Sequence, residues 1–237
     1  MIYGEILAGG SGSRMGNTDM PKQFLMLGDK PILIHTVEQF LINPLFDKIL
    51  VCCPKEWVGY TKDLLSNNEI ESDKVIVVAG GSTRNETIMN GCKYIEKNFG
   101  LKDDDIIVTH DAVRPFVNQR ILDDNIKNLK KYDAVDTVIP AVDTIVCSKD
   151  GKTISEIPIR SEYYQGQTPQ SFKIKKLMDI YDSLSKKEKD ILTDACKIFS
   201  IKGYPVGLVD GEGYNIKITM QHDLKLANAI LMGKDEK

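Results

Sequence analysis

Short β-branched runs alternate with longer amphipathic stretches through the first half of the chain, and this alternation constrains the fold more than any other feature. Ile2–Leu7, Lys48–Cys53, Val75–Val78 and Ile106–Thr109 read as strands bounded by turn residues. Pro31–Phe40, Trp57–Leu65 and Thr83–Asn98 lie between them with helical spacing. Pro31 suits a first helical turn, where its missing N–H has no partner to lose. The alternation predicts a mostly parallel sheet covered by helices on both faces. Ligands of such sheets bind beyond the carboxyl ends of the strands, so the loops after the first, third and fourth strands are the places for chemistry.

The pattern changes after Ala134. Thr144–Val146 and Thr153–Ile157 flank the polar turn Lys149-Asp150-Gly151-Lys152, which reads as a β-hairpin with Gly151 at positive φ. Helical spacing returns at Lys175–Leu184. Ser185 and Glu188 form a capping-box pattern opening a helix to about Phe199. A last strand near Ile216–Thr219 and a helix from about Asp223 close the chain. A single domain over residues 1–237, α/β and Rossmann-like, with a hairpin arm at 141–160, follows from this order. With 237 residues, 42% of them hydrophobic, a core of this size supports itself without disulfides or structural metal.

Composition excludes several function classes. A formal net charge of -3 gives no global basic field for nucleic acid or anionic membrane. No apolar stretch approaches the ~20 residues that a spanning helix needs. The five cysteines form no C-x-x-C pair and no zinc-like cluster with histidine. Their odd number, with no basic leader segment at the N-terminus, points to a reducing cytoplasm. Cys52 sits in an apolar run and reads as a buried strand residue.

Five constellations carry candidate chemistry. Leu7-Ala8-Gly9-Gly10-Ser11-Gly12-Ser13-Arg14-Met15-Gly16 follows the first strand, and its glycines let backbone amides approach a polyphosphate. The spacing G-x-G-x-x-x-G departs from the dinucleotide fingerprint, and no Gly-Lys-Ser/Thr ends it as a P-loop would. Arg14 and Lys22, in Pro21-Lys22-Gln23, add cations suited to a triphosphate, against a plain solvated lysine. Gly80-Gly81-Ser82-Thr83-Arg84-Asn85-Glu86-Thr87 opens a helix and offers amides and hydroxyls to a nucleoside, or merely caps that helix. His110-Asp111-Ala112-Val113-Arg114-Pro115 ends the fourth strand. Asp111 there suits a hydrated cation or a substrate hydroxyl, and Arg114 a phosphate. An Asp111–Arg114 ion pair that only stabilises the turn remains open, and His110 reads as structural. The last two are Asp143-Thr144 with Arg160 and Gln165 to Gln170, and Asn215-Ile216-Lys217-Ile218-Thr219. Lys217 is either an exposed lysine or the mouth of a phosphate pocket.

In this order and spacing the motifs resemble the family that contains the methylerythritol-phosphate and ribitol-5-phosphate cytidylyltransferases, over nearly the whole chain. The resemblance implies transfer of CMP from CTP to a polyol phosphate, with Mg²⁺ and a homodimer. By that resemblance Arg14 and Lys22 stabilise the transition state at the α-phosphate. Leu7 to Gly12, Gly81, Ser82, Arg84, Thr87, Asp111 and Ala112 then bind CTP. Asp111, Arg114, Thr144, Arg160 and Lys217 meet the acceptor, and Asp111 lies near the metal. The arm is expected to present Thr144 and Arg160 to the partner's site. Val113, the segment Asp133–Val138 and the segment Leu192–Phe199 resemble the ribitol branch, which serves teichoic acid synthesis. Two rivals are weaker: an NAD(P) oxidoreductase, which fails on the glycine spacing, and a nucleotide sensor, which has no need of Lys217 or Arg160.

Overall fold

The computed structural model describes residues 1–10 and 20–235. The first strand, β1 (Ile2–Leu7), lies third from one edge of a seven-stranded sheet. After it come two two-residue strands, β2 (Met26–Leu27) and β3 (Lys30–Pro31), paired with each other, and the helix α1 (Ile32–Leu41). Pro31 caps α1 instead of entering it. Next come β4 (Lys48–Cys53), α2 (Val58–Asn67), β5 (Val75–Ala79), α3 (Arg84–Phe99) and β6 (Ile106–Asp111). β4 and β6 flank β1 in parallel, and β5 lies outside β4, as the alternation predicts.

The second half differs from the sequence reading. α4 (Gln119–Asn128) leads to β7 (Ala134–Pro140), and β8 (Tyr164–Lys173) runs antiparallel between β6 and β7. Polar residues and Pro169 hide β8, because proline removes a ladder donor. The chain accommodates it at a register shift between Asp136 and Val138. β8 is followed by α5 (Ile174–Ser183), α6 (Lys186–Asp190), α7 (Cys196–Ser200), β9 (Gly207–Asp210) and α8 (Gln221–Asp235). Ser185 and Glu188 do form the capping box. The expected single helix to Phe199 is broken, however, at Asp194, whose carboxylate accepts from the Cys196 N–H at 2.8 Å and restarts the helix. Ile216–Thr219 is not a ladder strand. Only Ile218 N–H reaches across, to the Val113 carbonyl at 2.9 Å, and Asp223 gathers Thr219 and Met220 into the start of α8.

Helices cover both faces. Leu177, Ile88 and Ile198, from α5, α3 and α7, pack on Tyr3 and Phe172. Leu33, Leu65 and Ile121, from α1, α2 and α4, pack on Ile6 and Val51. Each such fully buried side chain contributes roughly 1.5–3 kcal/mol. Four of the five cysteines are buried, Cys52 among them, and all are free.

The arm is looser than a hairpin. Cys147 and Glu156 make one isolated bridge, and the strands expected at Thr144–Val146 and Thr153–Ile157 have no ladder. The turn is ordered by Asp150, which accepts from the backbone of Lys152 and Thr153, with Gly151 at φ +69° as expected. Val146, Ile154, Ile157 and Ile159 are all more than half exposed. An apolar ribbon of this kind has too little contact of its own to hold a ladder in water.

Candidate active site

Leu7 is the register partner of Cys52 on one side and Asp111 on the other, so three parallel strands end together. Backbone bonds lace this edge: Ala8 N–H donates to the Cys52 carbonyl at 2.8 Å and Ala112 N–H to the Leu7 carbonyl at 3.1 Å. Ala8 and Ala112 are themselves buried, so they shape the floor and expose little to a ligand. Buried Gln23 donates from Nε2 to the Ala8 carbonyl at 2.6 Å, tying the segment after the glycine loop to β1. Ser11, Gly12 and Arg14 lie outside the described residues.

A cavity of about 240 Å³ opens on the edge, lined by Gly9, Gly10, Lys22, Arg84, Asp111 and Lys217 among others. It shares Gly9, Gly10, Gly81 and Ser82 with a wider opening of about 800 Å³ walled by Pro54, Lys55 and Trp57. The loop after β4 therefore belongs to the site although its sequence carries no glycine signal. Its neighbour in the sheet is β1, and the carboxyl end of every parallel strand faces the same way.

Lys22 occupies a 3-10 turn, Lys22–Phe24, behind Pro21, and is buried. Its Cε lies 3.6 Å from where a Cβ on Gly10 would stand, so the lysine covers the glycine pair. The second glycine pair has a different use. Gly81 approaches α3 so closely that a Cβ would sit 2.5 Å from the Glu86 Cβ. Its N–H donates to Thr87 Oγ1 at 3.0 Å, and Thr83 accepts from the Glu86 N–H as the helix cap. Capping thus accounts for Thr83, and Thr87 holds the loop from below. Ser82 is left exposed at the rim.

Asp111 is the electrostatic centre. Lys217 Nζ stands 2.8 Å from Oδ2, Arg84 Nε 3.5 Å from Oδ1 and Arg114 Nε 3.7 Å from Oδ2. Burial alone would raise its pKa, but the charges of Arg84, Lys217 and Arg114 outweigh burial and hold the carboxyl well below the usual range. Lys217 is thus at the mouth of the pocket. Arg114 makes the turn ion pair and also donates to the Asn215 carbonyl at 2.8 Å. Cations thus stand on both carboxylate oxygens of Asp111. Buried His110 takes up Thr168 Oγ1 through Nδ1 at 2.9 Å and the Arg114 carbonyl through Nε2 at 3.0 Å. Burial lowers its pKa to about 4, so it is a neutral structural group. Thr168 also accepts from the Asp111 N–H at 3.2 Å, a positioning role that the TPQ motif alone does not reveal.

Thr144 and Arg160 are exposed on the arm and do not line this chain's cavity. Arg160 Nη1 donates to the Val142 carbonyl at 2.8 Å.

A family model, IspD: 2-C-methyl-D-erythritol 4-phosphate cytidylyltransferase, matches residues 3–233. The chain belongs to this cytidylyltransferase family. Among curated relatives, the "Ribitol-5-phosphate cytidylyltransferase" of Lactiplantibacillus plantarum is 55% identical over 231 residues, 98% of each chain. Among solved structures, the 4-diphosphocytidyl-2C-methyl-D-erythritol synthase of Anaerococcus prevotii has a TM-score of 0.80 at 29% identity, over 98% of this chain and 96% of that one. The 2-C-methyl-D-erythritol 4-phosphate cytidylyltransferase of Francisella tularensis has 0.78 at 30% identity, over 96% and 98%. The cytidylyltransferase is thus a nucleotidyltransferase enzyme with an α/β fold. No helix of its described residues is long and apolar enough to cross a membrane.

Proposed function

We propose that the chain transfers CMP from CTP to D-ribitol 5-phosphate, giving CDP-ribitol and pyrophosphate. The observation that carries this reading is the 55% identity, over 98% of both chains, to a relative named for that acceptor. The solved structures named for the methylerythritol substrate stand at 29% and 30%. The product suits teichoic acid synthesis, and a CTP-consuming step of that kind belongs in the cytoplasm.

In the reaction an acceptor phosphate oxygen bonds to the α-phosphorus of CTP, and the bond from that phosphorus to the bridging oxygen breaks in line, releasing pyrophosphate. The nucleophile is already an anion, so no general base is needed, and the site's task is alignment and neutralisation. Lys22 beside the Gly9–Gly10 floor is placed to offset charge building on the α-phosphoryl, with Arg14 as its partner by family resemblance. Lys217 holds the acceptor phosphate, and Asp111 fixes Lys217 and Arg84 in place. Mg²⁺ is read as arriving on the triphosphate, as part of the substrate. The exposed apolar arm supports a homodimer in which Thr144 and Arg160 complete the neighbour's site.

The direct test follows pyrophosphate release with CTP, Mg²⁺ and either ribitol 5-phosphate or methylerythritol 4-phosphate. A kcat/KM higher for methylerythritol 4-phosphate would overturn the acceptor.

A further inference from the structure

A second polar group lies one row below the catalytic edge, on the same face of the sheet. Thr109 of β6 is paired with Gln170 of β8, and Gln170 with Asp136 of β7. Gln170 is fully buried, and its Nε2 donates to Asp136 Oδ1 at 2.9 Å and to Asp194 Oδ2 at 2.7 Å. The other end of that amide, Oε1, is buried without a hydrogen-bond partner. Among the described residues no cation lies within ion-pair distance of either carboxylate. Asp136 stands beside the register shift in β7, and bulges of this kind re-aim side chains near active sites. Gly166, the partner of Val138, lies close by: a Cβ on it would come into ordinary contact, 3.9 Å, with Asp136 Oδ2, so the missing side chain leaves room for one small group beside the carboxylate. Arg84 joins this group to the cavity: its charge acts on both Asp111 and Asp136, and its Nη1 is buried without a partner.

The chemistry of the group selects its ligand. Spare carboxylate lone pairs and an orphaned amide oxygen want hydrogens, and Arg84 Nη1 wants an acceptor. A hydroxyl is donor and acceptor at once. Phosphate is repelled by two carboxylates. A metal ion fits poorly, because the Gln170 amide hydrogens already occupy the space between the two acids. Cys196, the third residue of the group, has its pKa raised well above the usual by burial and keeps its proton. β7 lies two strand spacings, roughly 10 Å, from β6, a distance on the scale of a five-carbon phosphate ester held at Lys217.

We propose that Asp136, oriented by Gln170 and Asp194, binds the hydroxyls of the acceptor's carbon chain and sets selectivity for a long polyol phosphate. This rests on the polyol-phosphate reading above. The test measures steady-state kinetics of wild type, Asp136→Asn and Asp136→Leu with CTP and two acceptors, ribitol 5-phosphate and the shorter glycerol 3-phosphate. Melting temperature serves as the folding control. The expected result is a ribitol 5-phosphate KM raised about tenfold or more in Asp136→Leu, less in Asp136→Asn, with the CTP KM within about twofold. The ratio of kcat/KM for ribitol 5-phosphate over glycerol 3-phosphate should fall by about the same factor. If Asp136→Leu does not fold, Asp136→Asn is decisive alone. An unchanged ratio, or equal damage to the CTP and acceptor constants, overturns the proposal while leaving the enzyme's reaction intact. A wild type that ignores ribitol 5-phosphate overturns the functional reading instead.

Discussion

The edge where β1, β4 and β6 end and the arm at 141–160 stand at opposite extremes of completeness. At the edge Asp111 is ringed by Lys217, Arg84 and Arg114, and Lys22, Asp111 and Gln23 are all buried. On the arm Val142 is 78% exposed and Ile159 66%, and the two candidate site residues there are not among the residues lining the cavity at the edge. The contrast fits the homodimer proposed above, in which the triphosphate end of the site belongs to one subunit and Thr144 and Arg160 serve the acceptor end of its partner's.

The sharpest way to break that division is Lys22→Ala. Loss of one preorganised charge at the α-phosphate should lower kcat by ~10²–10³, with CTP affinity reduced far less. Near-normal turnover in single-turnover assays would remove Lys22 from the chemistry. Next, Lys217→Ala is expected to raise the acceptor KM by ~10–100-fold with little change for CTP, since hydrogen bonds to charged groups are worth about 1.5–3 kcal/mol. Equal change in both constants would put Lys217 on the triphosphate and erase the contrast.

A smaller effect tests the arm. Mixing Arg160→Ala with Lys22→Ala, each nearly inactive, should restore activity toward about a quarter of wild type under random subunit exchange, because one site of each heterodimer is then intact. No recovery despite demonstrated exchange would assign Arg160 to its own subunit.

The least effect concerns stability alone and is confined to the buried side. Glu5 is fully buried beside Cys52, whose Sγ donates to Oε1 at 3.3 Å, and burial raises its pKa to about 8. The folded state keeps this proton up to about pH 8, whereas the unfolded chain releases it near its ordinary value of 4.5. Between those values the folded state binds more protons, so stability falls as pH rises, by at most about 1.4 kcal/mol per unit. Glu5→Gln should flatten that decline, melting above wild type at pH 8 and close to it near pH 4.5. Parallel melting curves across this range would show Glu5 to be ionised in the fold.

What was legible in the sequence divides along the same line. The parallel half announced itself because buried parallel strands read as short continuous apolar runs, as at Lys48–Cys53, and because glycine pairs follow β1 and β5. β8 did not. Its side chains Gln167, Thr168 and Gln170 bond to distant residues, among them Glu212, Asn215, His110, Asp111, Asp136 and Asp194. No local pattern records such bonds. The hairpin was legible as a turn, through Asp150 and Gly151, but its strands were overestimated because their apolar residues lack a surface within the chain. Asp111 and Lys217 were singled out separately, and only the fold brings them to 2.8 Å.

β8 has one more consequence. It leaves the arm at exposed Tyr164 and runs to buried Phe172, passing Thr168, Gln170 and the register shift opposite Asp136 and Val138 on the way. The ribbon is therefore a lever with its fulcrum in the core, not a tether on a hinge. A force on its tip is carried along a hydrogen-bonded strand to the residues that orient Asp111 and Asp136. Lengthening the chain between Arg160 and Tyr164 by a few glycines would cut that lever while leaving both ends chemically unaltered.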